Sequence, residues 1–137
     1  MSSMKNIAFF LTPKEDVAFL YDDFTLEQSL RKMRFHGYTS IPVITRESRY
    51  AGTISEGDFL WYITDNGIPR DKFSKISVKE VSGKEKNPPV HITADIDELL
   101  EKAMNQNFIP VIDDMGTFIG IVTRKDIIGY LQKHNGE

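Results

Sequence analysis

Apolar positions along the chain follow two different periods. Leu26, Leu30 and Met33 recur at helical spacing after Thr25, and Ile96, Leu99, Leu100 and Ala103 do so after Asp95. An oxygen-bearing side chain just before such a stripe can accept from free N–H groups of the first turn. The pattern therefore predicts capped helices over 26–35 and 96–105. Unbroken apolar runs follow at 41–45 and 109–113, each ending in a turn, with Asp113-Asp114-Met115-Gly116 the clearer signal. Second runs at 50–54 and 118–122 complete two strand pairs. A further helix is expected in each half, begun by Asp58 or Asp126, and Asn66-Gly67-Ile68-Pro69 ends the first of them.

The two halves are copies of one pattern. Ile41-Pro42-Val43-Ile44 returns as Ile109-Pro110-Val111-Ile112, and the same offset matches Gly52 with Gly120, Asp58 with Asp126 and Tyr62 with Tyr130. Upstream the offset grows by two. Leu11-Thr12 then faces Val81-Ser82, Lys14-Glu15 faces Lys84-Glu85, and Leu30 faces Leu100. The second copy has thus lost two residues between Met104 and Phe108. Each half reads β-α-β-β-α, with residues 7–66 and 80–133 as the two motifs and 67–79 as a linker.

Composition narrows the function. In 137 residues there is no cysteine, which excludes disulfides, thiolate catalysis and cysteine-based metal sites and suits a reducing cytoplasm. A formal net charge of −3 argues against a nucleic-acid surface. The apolar run from Ile7 to Leu11 stops at Thr12-Pro13 and is too short to span a membrane. His36, His91 and His134 lack metal-ligand spacing, and no nucleophile elbow accompanies Ser55, so neither a metal site nor an enzyme is expected.

The chemistry lies where each second strand meets its helix, in Gly52-Thr53-Ile54-Ser55-Glu56-Gly57-Asp58 and Gly120-Ile121-Val122-Thr123-Arg124-Lys125-Asp126. Free N–H groups at a helix start favour an anion, the hydroxyl can donate to a phosphate, and an aspartate one turn away can accept ribose hydroxyls. The same residues also spell a capping box, with Ser55 or Thr123 as the cap. The two roles are compatible.

This ordered set resembles the cystathionine-β-synthase (CBS) domain, which occurs in tandem pairs. The residues carrying the likeness are Gly37-Tyr38-Thr39-Ser40-Ile41-Pro42-Val43 followed by Gly52 to Asp58, with the second copy behind them. The likeness spans residues 7–133. It implies an α/β (α+β) fold in which two tandem β-α-β-β-α motifs pack sheet to sheet with pseudo-twofold symmetry. It also implies two clefts for adenosine-containing ligands: AMP, ADP, ATP, S-adenosylmethionine or cyclic di-AMP. No further cofactor is required.

Carried over by position, the first cleft would use Thr12, Val17, Ala18, Tyr38, Thr39, Ser40, Pro42, Ser55 and Asp58. The second would use Ser82, Phe108, Pro110, Thr123, Arg124, Lys125 and Asp126. The copies differ. Gly37-Tyr38-Thr39-Ser40 has no full counterpart before Ile109, so the second cleft's adenine strand is expected to be short, and Pro88-Pro89 removes two backbone donors. Arg124-Lys125 favour an anion where Glu56-Gly57 do not. The apolar surface around Trp61 is expected either to pack the two repeats together or to serve a homodimer. The implied function is a cytoplasmic sensor that signals to a partner protein. The alternative is a constitutive interaction module with degenerate clefts.

Overall fold

Thr25 sets the first helix. Its backbone is extended, its Oγ1 accepts the Gln28 N–H at 3.0 Å, and Gln28 Oε1 accepts the Thr25 N–H at 2.8 Å. With these donors satisfied reciprocally, α1 runs Leu26–His36. It ends at Gly37, whose φ of 70° lets its N–H reach back to the carbonyls of Arg34 and Met33. This computed structural model describes residues 7–81 and 87–134.

Two compact units divide the chain, Ala18–Lys86 on one side and Met1–Val17 with Asn87–Glu137 on the other. In Ala18–Lys86 a three-stranded sheet runs in the order β2 (Leu20–Tyr21), β3 (Ser40–Ile44), β4 (Tyr50–Ser55). Strand β2 is parallel to β3 and β3 is antiparallel to β4. Helix α2, Glu56–Asn66, follows and closes at left-handed Gly67. The stretch expected to be a linker then folds back as a 3-10 turn, Arg70–Lys75, and a short helix α3, Val78–Val81. Leu26 N–H donates to Ile76 O at 2.7 Å and Val78 N–H to Phe24 O at 2.8 Å. These bonds hold Val78 fully buried in a core with Leu20, Leu26, Met33, Ile41, Val43, Ile54 and Phe59. Burying one such side chain contributes about 1.5–3 kcal/mol, enough to keep this stretch on the unit.

The other unit has a four-stranded sheet in the order β1 (Thr12–Pro13), β7 (Phe118–Thr123), β6 (Phe108–Ile112), β5 (Val90–His91). Helices α4, Ile96–Ala103, and α5, Arg124–His134, flank its strands in sequence. Ile7 and Phe10 are buried with Val90, Leu99, Ile109, Val111, Val122 and Ile127. The opening segment of the chain therefore completes the sheet and core of the second repeat. The compact units divide after Val17 and before Asn87, away from the repeat boundary near residues 66–80.

Three details differ from the sequence reading. Strands β3 and β6 are five residues each, so the second copy's adenine strand is not shortened. The deletion instead shortens α4, eight residues against eleven in α1. Asp58 and Asp126 do not begin their helices, which start at Glu56 and Arg124. Both aspartates stand at the third helical position, and of the two side chains that of Asp58 reaches back to its cap.

The hairpin turns are stapled in both units, with opposite polarity. Arg46 reaches Asp23 at 2.8 and 2.9 Å and lies 3.9 Å over the Tyr21 ring. Hydrogen bonding to Arg46 holds the Asp23 carboxyl below its ordinary value. At the matching place in the second repeat, Asp114 meets His91 Nε2 at 2.5 Å, while Thr93 N–H donates to His91 Nδ1 at 3.1 Å.

Entry of β1 requires a residue without a side chain at Gly120. Its φ is +155°, and a Cβ there would lie 2.2 Å from Thr12 O and 3.1 Å from Pro13 Cα. Gly52, its repeat partner, has φ +146° but nothing within 4 Å of the same position. Backbone strain of about 1–3 kcal/mol is therefore expected from Gly52→Ala. Gly120→Ala must add displacement of β1. Urea unfolding of the two variants is expected to show the larger loss of stability for Gly120→Ala; equal losses would contradict a tight β1–β7 contact.

Candidate functional site

Each repeat makes a strand-to-helix turn of the same backbone design. At the first, Ser55 is extended and caps α2: its Oγ accepts the Asp58 N–H at 3.1 Å, and Asp58 Oδ2 accepts the Ser55 N–H at 2.9 Å. Glu56 N–H donates to Thr39 O at 2.9 Å, tying the helix start to the chain entering β3. At the second, Thr123 Oγ1 accepts the Asp126 N–H at 3.0 Å and Arg124 N–H donates to Asn107 O at 2.9 Å. The capping role is thus present in both. Each hydroxyl is used as an acceptor, which leaves its own proton available to a ligand oxygen.

Around Asp126 the surface is hollow. An open cleft of about 780 Å³ is lined by Phe9, Phe10, Leu11, Thr12, Asp126, Gly129, Tyr130 and Lys133. A second of about 740 Å³ includes Asn107, Thr123, Arg124, Lys125 and Asp126. Asp126 lines both and is exposed. Aromatic rings form one wall: Phe9, Phe10 and Tyr130 meet edge to face with centroids 5.0 to 5.9 Å apart. A carboxylate, a hydroxyl and a lysine beside aromatic rings suit a ligand with hydroxyls, a flat ring and negative charge.

The residues singled out in the sequence fall as follows. Thr12, assigned by repeat offset to the set of Ser55 and Asp58, pairs with Ile121 and lines the cleft of Asp126. Val17 belongs to that same compact unit, whereas Ala18, Tyr38, Thr39, Ser40, Pro42, Ser55 and Asp58 share the other. Within that other unit, Ser40 faces Ser55 across the β3–β4 register, Pro42 is buried, and Tyr38 is partly exposed with its ring 5.3 Å from that of His36. Phe108, expected as a wall of the second cleft, is buried, and its carbonyl accepts from the Asn87 and Gln106 side chains. Pro110 is buried opposite Ile121. Lys125 is exposed in the second cleft. Ser82 lies outside the described residues.

Arg124 has a structural duty. Its Nε–H donates to Ala103 O at 2.7 Å, at the end of the helix that lacks a left-handed glycine. One guanidinium N–H is thus committed to the helix end while the side chain lines the second cleft. Phe9, Phe10, Tyr130 and Lys133 were not singled out as ligand residues. Only the identity of Tyr130 with Tyr62 pointed towards them. Among the described residues no three His, Asp or Glu side chains are placed to hold a metal, and no helix is long and apolar enough to cross a membrane.

A doubled β-α-β-β-α unit with a Gly-x-apolar-Ser/Thr-x-x-Asp turn in each copy defines a tandem CBS protein. The CBS-domain family model matches residues 7–65 and 78–133, and the chain belongs to that family. It is 31% identical over 128 residues to the cyclic di-AMP receptor B of Bacillus subtilis (strain 168), covering 91% of this chain and 85% of that protein. It is 29% identical over 119 residues to a CBS domain-containing protein of Dictyostelium discoideum, covering 81% of each. The crystal structure of CbpB in complex with c-di-AMP matches with a TM-score of 0.89 at 29% identity, covering 94% of this chain and 85% of that one.

Arg124→Gln is expected to fray the end of α4. Amide exchange at Asn105 and Gln106, which both donate to Lys102 O, should rise about tenfold on loss of the charged bond. The end of α1, closed by Gly37, should be unaffected. Hydrogen exchange read by mass spectrometry checks both, and unchanged exchange at 105–106 would remove Arg124 from this role.

Proposed function

We propose that the chain is a regulatory sensor that binds an adenosine-containing ligand, cyclic di-AMP foremost, and signals to a partner protein. The observation that carries the reading is the Thr123–Asp126 turn opening onto an aromatic cleft with Thr12 and Lys133. The likeness to a cyclic di-AMP receptor over most of both chains supports the choice of ligand. Asp126 would accept ribose hydroxyls, Thr123 would donate to ribose or the first phosphate, and Lys125 and Lys133 would offset phosphate charge. Ser55 and Asp58 would form the counterpart in the first repeat. Binding energy that differs between two conformations would shift their populations and so the affinity for a partner. A sensor of this ligand class would work in the cytoplasm.

Isothermal titration with cyclic di-AMP, AMP, ADP, ATP and S-adenosylmethionine tests the reading. At least one is expected to bind at about 1 μM or tighter, near −8 kcal/mol. No heat with any of the five would overturn it in favour of a constitutive interaction module.

We also propose that the protein works as a homodimer. Leu60 and Trp61 on α2 are 52% and 62% exposed, and Ile128 and Leu131 on α5 are 46% and 42% exposed. Leu60 and Ile128 are repeat counterparts, so an apolar helix surface recurs in both copies. Such surface favours a self-complementary contact. Sedimentation is expected to show a dimer for the native protein and a shift towards monomer for Trp61→Arg and for Ile128→Arg. A monomeric native protein would rule the dimer out.

A further inference from the structure

The two strand-to-helix turns share a backbone but differ at the carboxylate. Asp58 is half-buried and its Oδ2 is already committed to the Ser55 N–H at 2.9 Å. Asp126 is exposed, and its side-chain oxygens meet no hydrogen-bond donor or ion-pair partner among the described residues. Its backbone N–H donates to Thr123 Oγ1 at 3.0 Å. A carboxylate that is to receive a sugar hydroxyl has to offer a lone pair. Asp126 does so without giving up a protein bond, whereas at Asp58 the hydroxyl competes with the helix cap.

Two independent features favour the same side. The start of α5 carries Arg124 and Lys125, and Lys133 lines the cleft; the start of α2 carries Glu56 and Gly57. A phosphate is therefore attracted to one turn and repelled by the carboxylate of the other. The rings of Phe9, Phe10 and Tyr130 give the Asp126 cleft an apolar wall packed edge to face without a ligand. A wall formed in advance spares the cost of ordering those side chains on binding.

We infer that the two repeats are unequal receptors: the Asp126 site fills first and sets the affinity, and the Asp58 site is primarily a helix cap with weak affinity. This rests on the reading that the chain binds an adenosine-containing ligand. It adds which of the two duplicated sites sets the affinity.

Titration of cyclic di-AMP and of AMP into the native protein, Asp126→Asn and Asp58→Asn separates the cases. Asparagine at 58 keeps an oxygen for the Ser55 N–H, so that variant retains its cap, and melting curves report whether each variant folds. Asp126→Asn is expected to weaken the tight phase at least about tenfold with no drop in melting temperature, because no protein bond is lost. Asp58→Asn is expected to change that phase by less than about threefold, and Asp58→Ala to lower the melting temperature. Tight binding that survives in Asp126→Asn and disappears in Asp58→Asn would overturn the order of the sites, as would equal damage by both. Absence of heat with the native protein would instead overturn the sensor reading itself.

Discussion

The carbonyl of Thr12 rests against the Cα of Gly120, and much of the candidate site depends on that approach. It lets the opening segment pair with β7, which belongs to the other repeat in sequence. Once β1 is seated, Phe9 and Phe10 reach Tyr130, Ile7 enters the core with Ile127, and Thr12 comes to line the cleft of Asp126. A two-residue strand contributes few ladder bonds, so its position is fixed mainly by the apolar side chains before it. The aromatic wall and the polar group beside it are products of one pairing.

Duplication supplied two equivalent turns, and the differences between them follow from how each helix is closed. In the first repeat Gly37 ends α1 with its own backbone, leaving the residue after Ser55 without that task. In the second the deletion removed the glycine, and Arg124 satisfies Ala103 O from the far side of the hairpin. The arginine that favours an anion is therefore also part of the scaffold. Asp58 and Asp126 divide in a similar way, one bound to its cap and the other exposed in a cleft. Equivalent sequence positions have taken up different shares of structure and recognition.

Much of this was legible in the chain. The repeat, the four strands of the two hairpins, the caps at Thr25 and Asp95 and the glycine stop at Gly67 all rest on local chemistry, and local chemistry is what a sequence displays. The candidate residues Ser55, Asp58, Thr123 and Asp126 were visible because the pattern occurs twice. What was hidden depends on long-range pairing. Nothing near Thr12 says which sheet it joins, and repeat offset assigned it to the set of Asp58. The deletion was located in sequence, but whether strand or helix absorbed it was decided by packing: β6 keeps its register with β7 and α4 gives way. The duty of Arg124 was equally invisible, since its acceptor lies twenty-one residues away.

The opposed staples at the hairpin turns have an evolutionary consequence. Position 46 carries the cation in the first repeat, and its counterpart, 114, carries the anion in the second. A recombination event that copied the first hairpin turn onto the second would set an arginine beside His91 with no carboxylate to receive it. The reverse exchange would place an aspartate beside Asp23. Neither turn can be overwritten by the other without a matching change in the strand-end partner. Each turn is thus fitted to its own partner, and an exchange between the copies would trade an attractive surface contact for an unpaired or like-charged one.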